Sequence, residues 1–487
     1  LYFNHPNMSN LKKQILDLQK ISEALEPSET ERTNYVNDVS AYANSFINNL
    51  ETAKAFVGAK ETPNAFLLSK NKKTLAEILK LYDDEIAAKG IKPASGGHIG
   101  YIPGGGIYTS AIADFLVDVT NEYVGMHFSC PGGVAIEHVL LDWMKDMFGF
   151  PESAVGNLTS GGSIANLIAM TAARDKHKIK NAVIEKSVIY LSHQVHHCIQ
   201  KALKIIGLED VIINYLELDD NSKIKVDDLK SKIESDKLKG FNPFLVVASA
   251  GTTDTGAIDP LEEIGQIAKE HNLWYHVDGA YGGFFILVDD KKEKFKGIEL
   301  ADSVVVDPHK GLFLPYGLGV VIVKDKQAVY HSHVVRANYM QDAVVEETPV
   351  NPADVSPELT KHFRSLRMWL PLQLHGVEPF VACLEEKILL TQYFREQLVE
   401  IGFKVGPEPD LSVSYFWYPT NDANENAFNE KLLKELHKDG EVFLSSTKIN
   451  EKFVIRMAIL SFRTKLSTID KAVAMIERAL NKVKNAF

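Results

Sequence analysis

Between residues 155 and 325 the sequence alternates short apolar runs with amphipathic stretches of helical period, and this alternation restricts the fold more than any other feature. The runs are SVIYLS (187–192), VIINYLEL (211–218), FLVVASA (244–250), LWYHVD (273–278), SVVVD (303–307) and GVVIV (319–323). A strand apolar at nearly every position buries both faces, and parallel sheets achieve this by laying crossover helices on each side. The expectation is an α/β, doubly wound fold with a mostly parallel central sheet. Ligands bind such sheets beyond the carboxyl ends of the strands, so chemistry is expected in the residues just past each run.

The flanking segments read differently. Residues 1–7 resemble the remnant of an expression tag, with Met8 as the expected native start. Residues 8–90 carry apolar positions at three- and four-residue intervals, broken by Pro27 and Pro63, and read as an N-terminal helical segment. A glycine-rich stretch, SGGHIGYIPGGG, spans 95–106, and an acidic, proline-containing stretch over 338–357 reads as a long mobile loop. Beyond it lie a helix, a strand near FVIRMAI and a closing helix, STIDKAVAMIERALNKV.

Composition excludes several function classes. The 487 residues carry 53 Lys+Arg against 64 Asp+Glu, a net charge of −11, which argues against a nucleic-acid or anionic-membrane surface. No run approaches the 18 or so apolar residues of a membrane span. Three scattered cysteines, Cys130, Cys198 and Cys383, provide neither a disulfide framework nor a zinc cluster, so a reducing cytoplasmic location and no resident metal are expected.

Four places just past strands carry chemistry. Thr159-Ser160-Gly161-Gly162-Ser163 runs straight into a helix, where small residues leave N–H groups and the helix dipole free for an anion; a plain N-cap is the alternative. His193, His196 and His197 come after SVIYLS. They invite a metal reading, but no third-ligand pattern supports it, and a strand-end imidazole can instead lie flat on an aromatic ring. Asp278 ends an apolar strand and needs a cationic or hydrogen-bonding partner, either an internal side chain or a protonated pyridine nitrogen. Lys310 lies just past SVVVD, where an apolar setting is expected to lower its pKa and make it an amine nucleophile; a surface lysine is the alternative. Together they supply a phosphate cradle, a ring stacker, a pyridinium partner and a Schiff-base lysine, the set that pyridoxal 5'-phosphate (PLP) requires.

HVDGAYGG together with the later DPHKG resembles the group II PLP-dependent amino-acid decarboxylases, which include the aromatic-L-amino-acid and glutamate enzymes. The resemblance runs from about 90 to 470 and implies the aspartate-aminotransferase-like fold (fold type I), with a PLP-binding large domain over 91–360 and a small C-terminal α+β domain over 361–487. It implies that Lys310 holds the cofactor as an internal aldimine, Asp278 partners the ring nitrogen, and His196 and Ala280 cover the two ring faces. Gly162, Ser163 and His309 would contact the phosphate, with Thr253 beside the cofactor. Tyr101 of HIGYIPGG and Arg456 of FVIRMAI would face the substrate, Arg456 through the α-carboxylate. It further implies a homodimer with a shared active site.

The sequence departs from that family in informative ways. The mobile loop normally presents a tyrosine that protonates the product; 341–362 contains none, and Tyr339 stands at the loop's start. His196, Tyr339 or a partner-chain residue are the candidates for that step. Loss of the tyrosine is associated in the family with aldehyde-forming oxidative deamination. Asp307 occupies a position where asparagine is common, and Gly311 one where a tryptophan stands in aromatic-type enzymes. The expected function is decarboxylation of an L-amino acid to amine and CO2. The alternatives are an aldehyde-forming relative, another PLP carbon–carbon lyase, and a PLP-binding scaffold without catalysis.

Overall fold

The computed structural model describes residues 7–58, 66–68, 71–334, 349–420 and 424–485. The chain divides into two compact units, Leu1–Ala53 with Val57–Lys92, and Lys54–Phe56 with Pro93–Phe487. The first contains helices α1 (Asn7–Ser22), α2 (Glu29–Asn49) and α3 (Leu75–Tyr82). Reciprocal capping boxes start two of them: Ser28 with Glu31 opens α2, and Thr74 with Glu77 opens α3. Neither α2 nor α3 contains a buried residue. The segment expected over 8–90 is interrupted, because Phe56 packs on Phe443 in the second unit at 5.4 Å between ring centroids.

The second unit is built on a seven-stranded sheet. Its strands are β1 (Val155–Thr159), β2 (Ser187–Ser192), β3 (Ile212–Leu216), β4 (Asn242–Ser249), β5 (Trp274–Asp278), β6 (Ser303–Val306) and β7 (Gly319–Val323). They lie in the order β1-β7-β6-β5-β4-β2-β3, and only β7 runs antiparallel to its neighbours. The apolar runs thus form the α/β, mostly parallel architecture expected of them. Strand β1 has no such run, since VGNLT lacks consecutive β-branched residues. It forms where Gly156 allows close approach: a Cβ there would lie 2.6 Å from Leu141. Helices pack both faces, including α5 (Pro131–Phe148) and α6 (Gly162–Lys176), while α4 (Tyr108–Thr120) packs on the helix Arg364–His375.

A second sheet holds β8 (Lys404–Val405), β9 (Val413–Trp417), β10 (Ser445–Ile449) and β11 (Lys452–Ala458), antiparallel throughout in the order β8-β9-β11-β10. Residues 361–487 do not separate as an independent unit. Met368, Phe380, Leu384 and Val413 join the core of the large sheet, and the fully buried Lys361 bonds Glu137 of α5 at 2.8 and 3.0 Å. Of the loop expected over 338–357, residues 335–348 lie outside the described residues, Tyr339 among them; Pro352–Val355 forms a 3-10 turn. Among the described residues no helix is long and apolar enough to cross a membrane.

Candidate active site

The carboxyl ends of β1, β2, β4, β5 and β6 surround a cavity of about 240 Å³. One end is the start of α6. Gly161 has a φ of +148° and caps the helix without a side-chain hydrogen bond, so the first-turn N–H groups of Gly162 and Ser163 open toward the cavity. Gly319 is required here, because a Cβ would lie 2.5 Å from the Gly161 carbonyl carbon and 2.6 Å from Asp307 Oδ1. His309 lines the same end. Its Nδ1 donates to the Leu318 carbonyl at 2.6 Å, leaving Nε2 on the side of Asp307, 3.8 Å away.

Lys310 stands on a single helical turn, Pro308–Gly311, held by the Pro308 ring at the turn's start. Its Nζ donates to Asp307 Oδ2 at 2.8 Å. This corrects the expectation of a lowered lysine pKa. Burial does pull the ammonium down, but the Asp307 and Asp278 carboxylates outweigh it and hold the group above its ordinary value. In the sequence Asp307 stands out only as a departure from asparagine, and it is not among the expected site residues. Its Oδ1 is buried and has no hydrogen-bond partner among the described residues.

Asp278 forms the opposite wall. It has no ion pair among the described residues; Oδ2 accepts from Asn166 Nδ2 at 3.2 Å and Oδ1 from the Ala280 N–H at 3.0 Å. The side chain is thus held by neutral donors, and no internal Arg or Lys partners it among the described residues. Of the three histidines after β2, only His196 lines the cavity. Its Nδ1 accepts from the Cys198 N–H at 3.3 Å, and burial lowers its pKa against the pull of Asp278. His193 instead stacks on Tyr215, 3.9 Å away and 7° from parallel. Among the described residues no three His, Cys, Asp or Glu side chains could hold a metal ion. Asn166 and Cys198, absent from the expected set, also line the cavity; an asparagine or cysteine inside an amphipathic helix carries no sequence signal for this.

The expected substrate residues are placed differently. Thr253 lines the cavity, but Tyr101 and Arg456 do not. Arg456 is buried at β11 and spends its donors inside the protein. Nε bonds the Thr253 carbonyl at 2.9 Å, Nη1 the Tyr101 carbonyl at 2.8 Å and Ser445 Oγ at 3.3 Å, and Nη2 also reaches the Thr253 carbonyl. Burial pushes its pKa down to about 10. The guanidinium therefore does not present itself to a carboxylate as expected; it staples two loops whose carbonyls would otherwise be unpaired.

The donor set can be tested against PLP. The cavity offers a carboxylate held by neutral donors for a protonated ring nitrogen, a primary amine, helix-start N–H groups for a phosphate, and a flat imidazole. Two buried acceptors among its lining, Asp307 Oδ1 and Gln194 Oε1, have no partner among the described residues. These groups fit the cofactor, and Lys310, Asp278, His196, Gly162, Ser163 and His309 would hold it.

Comparison with known proteins points the same way. Residues 68–418 match the family described as the pyridoxal-dependent decarboxylase conserved domain. An aromatic-L-amino-acid decarboxylase of Bacillus atrophaeus is 34% identical over 395 residues, covering 80% of this chain and 82% of that protein. A phenylacetaldehyde synthase of Arabidopsis thaliana is 29% identical over 388 residues, covering 76% and 79%. The structure of Catharanthus roseus tryptophan decarboxylase in complex with L-tryptophan superposes with a TM-score of 0.86 at 21% identity, over 94% of this chain and 99% of that one. With this fold, that of the type I PLP enzymes, and with this family match, the chain belongs to the pyridoxal-dependent decarboxylases and is a carboxy-lyase whose cofactor is PLP.

Proposed function

We propose that this enzyme removes the α-carboxylate of an L-amino acid as CO2 and releases the corresponding amine, with Lys310 carrying the cofactor. The observation that carries the reading is the shared cavity: the Lys310 amine, the Asp278 carboxylate and the open start of α6 line one space. PLP, when bound, supplies an aldehyde that condenses with amines and an electron sink for the charge left by CO2. The protein's part is positional. Asp278, held by neutral hydrogen-bond donors, would keep a proton on the ring nitrogen. His196 and Ala280 would fix the ring plane, Gly162, Ser163 and His309 would anchor the phosphate, and Thr253 would border the cofactor. The bond held perpendicular to the ring is the one that breaks, so a fixed plane selects the reaction. Arg456 supports this wall indirectly, by fixing the Thr253 and Tyr101 carbonyls.

Two groups of this chain can supply the proton that replaces CO2. One is His196, which would have to take up a second proton first, since its neutral ring keeps Nδ1 as the acceptor of the Cys198 N–H. The other is Tyr339. A second reading, aldehyde formation, is supported by the similarity to the phenylacetaldehyde synthase of Arabidopsis thaliana and the 4-hydroxyphenylacetaldehyde synthase of Rhodiola rosea. A panel of L-amino acids assayed for CO2, amine, ammonia and peroxide separates the two. CO2 with stoichiometric amine supports decarboxylation, while ammonia and peroxide replace it by the aldehyde route. Silence across the panel would leave a PLP-binding scaffold.

The working form proposed is a cytoplasmic homodimer with a shared active site. Helix α4 carries Tyr108, Ile112, Phe115, Leu116 and Val119 on one face, all exposed in the single chain. Such a stripe is expected to be covered in solution. Cys130, Cys198 and Cys383 are all free, as a reducing compartment allows. Sedimentation of the loaded enzyme tests the dimer.

A further inference from the structure

Behind Asp278 lies a line of buried polar groups that the proposed chemistry does not use. Residues 274, 276 and 278 alternate along β5, so Trp274, His276 and Asp278 project from one face of the sheet. Asn166 of α6 meets that face, and Ser303 is paired in register with His276 from β6. Trp274 Nε1 donates to Ser303 Oγ at 2.9 Å, and Ser303 Oγ lies 2.8 Å from His276 Nδ1. His276 Nε2 lies 2.8 Å from Asn166 Oδ1, and Asn166 Nδ2 reaches Asp278 Oδ2 at 3.2 Å and Cys198 Sγ at 3.3 Å. Asn166, His276 and Ser303 have no exposed surface, and Trp274 retains 2%.

The polarity of this line is set from its carboxylate end, and the indole end is compatible with it. The indole can only donate, so Ser303 Oγ accepts there and has its own hydrogen left for His276 Nδ1. A carboxylate can only accept, so Asn166 turns its amide N–H toward Asp278 and its oxygen toward His276. His276 Nε2 then carries the ring hydrogen. Burial lowers the imidazole pKa to about 4, so the ring is neutral and has one hydrogen to give.

We propose that Trp274, Ser303, His276 and Asn166 form a one-way hydrogen-bond chain that holds Asp278 as an acceptor aimed at the cofactor, each acting as a positioning residue. The proposal rests on the reading of Asp278 as the partner of the ring nitrogen. A carboxylate in this setting would take up a proton more readily without a buried N–H donor, and a protonated Asp278 cannot pair with a pyridinium.

The test measures cofactor retention as a function of pH, read from PLP released by the holoenzyme, without reference to turnover. In the wild type, ¹⁵N spectra of His276, assigned by its loss in His276→Asn, are expected to show the Nε2–H tautomer. In Asn166→Ala the pH at which PLP is lost is expected to rise by about one unit, the size of one hydrogen bond to a charged group. Ser303→Ala, further along the chain, is expected to move it the same way by less. A merely structural role would weaken retention equally at all pH values. An Nδ1–H tautomer in the wild type, or an unmoved pH midpoint in Asn166→Ala, overturns the chain. Asp278→Asn is the separate control: retention and pH profile like the wild type's would sink the reading of Asp278 itself.

Discussion

The cofactor side of the cavity and the side expected to meet substrate are built on different principles. On the cofactor side, Lys310, Asp278, His196 and the start of α6 project from the ends of buried strands in one sheet, and hydrogen bonds of 2.8, 3.2 and 3.3 Å hold the three side chains. Tyr101 and Arg456, which stand outside the cavity lining, come from a glycine-rich loop and a second sheet, and Arg456 is occupied with backbone carbonyls. The contrast separates two questions usually asked together. On the reading proposed above, groups presented by the sheet would set the reaction class, and loops that the sheet supports would choose the substrate.

The largest expected effects lie on the cofactor side. Lys310→Ala is expected to abolish the visible band of the loaded protein and lower kcat by on the order of 10³-fold or more. An unchanged band would remove Lys310 from the role given to it. Asp278→Asn keeps the shape but removes the charge, and a fall in kcat of roughly 10²-fold with little change in KM is expected. Equal rates would place the pyridinium partner elsewhere.

Arg456→Met probes the other side, and here stability is expected to move more than chemistry. Removing the guanidinium strands the Thr253 and Tyr101 carbonyls, at about 2–3 kcal/mol of folding stability. KM is expected to rise only several-fold through displacement of Thr253. A very large rise in KM with an unaltered melting temperature would instead restore the direct carboxylate role. Tyr339→Phe sharpens the same border. Loss of amine with gain of aldehyde would identify Tyr339 as the proton donor, while an unaltered product ratio leaves that task with His196.

Legibility in the sequence divides along the same line. Apolar runs reveal buried strands because burial on both faces leaves no other composition, and the residues just past a strand end inherit its position. Lys310, Asp278, His196 and Gly162 are legible for that reason. Strand β1 is not, because it depends on Gly156 meeting Leu141 and on an edge offered by β7, both contacts distant in sequence. Asp307, marked only as a departure from asparagine, and Asn166 are not expected at the site for a related reason: one adjoins a motif residue and one is buried within a helix, and only the folded chain turns their side chains into the cavity. Arg456 sits on the strand expected for it, but its partners, carbonyls from two loops, have no signature in one sequence.

The smallest effect compares the two sides through acid. His276, behind the cofactor wall, and His98, packed against Tyr101 and Phe443, are both buried, and burial pushes each pKa down to about 4. An unfolded histidine titrates near 6.5, so below that pH the unfolded chain binds protons that the folded chain refuses. Each group's contribution to stability is therefore intact above about 6.5 and is lost as pH falls toward 4, with about 2 kcal/mol gone by pH 5. The melting temperature is expected to drop between pH 7 and pH 5, and His98→Leu to flatten part of that drop while leaving the pH profile of PLP retention in place. Were His98→Leu to melt with the full wild-type dependence, burial of His98 would carry none of that acid sensitivity, and the other buried imidazoles, His276, His177 and His333 among them, would carry it.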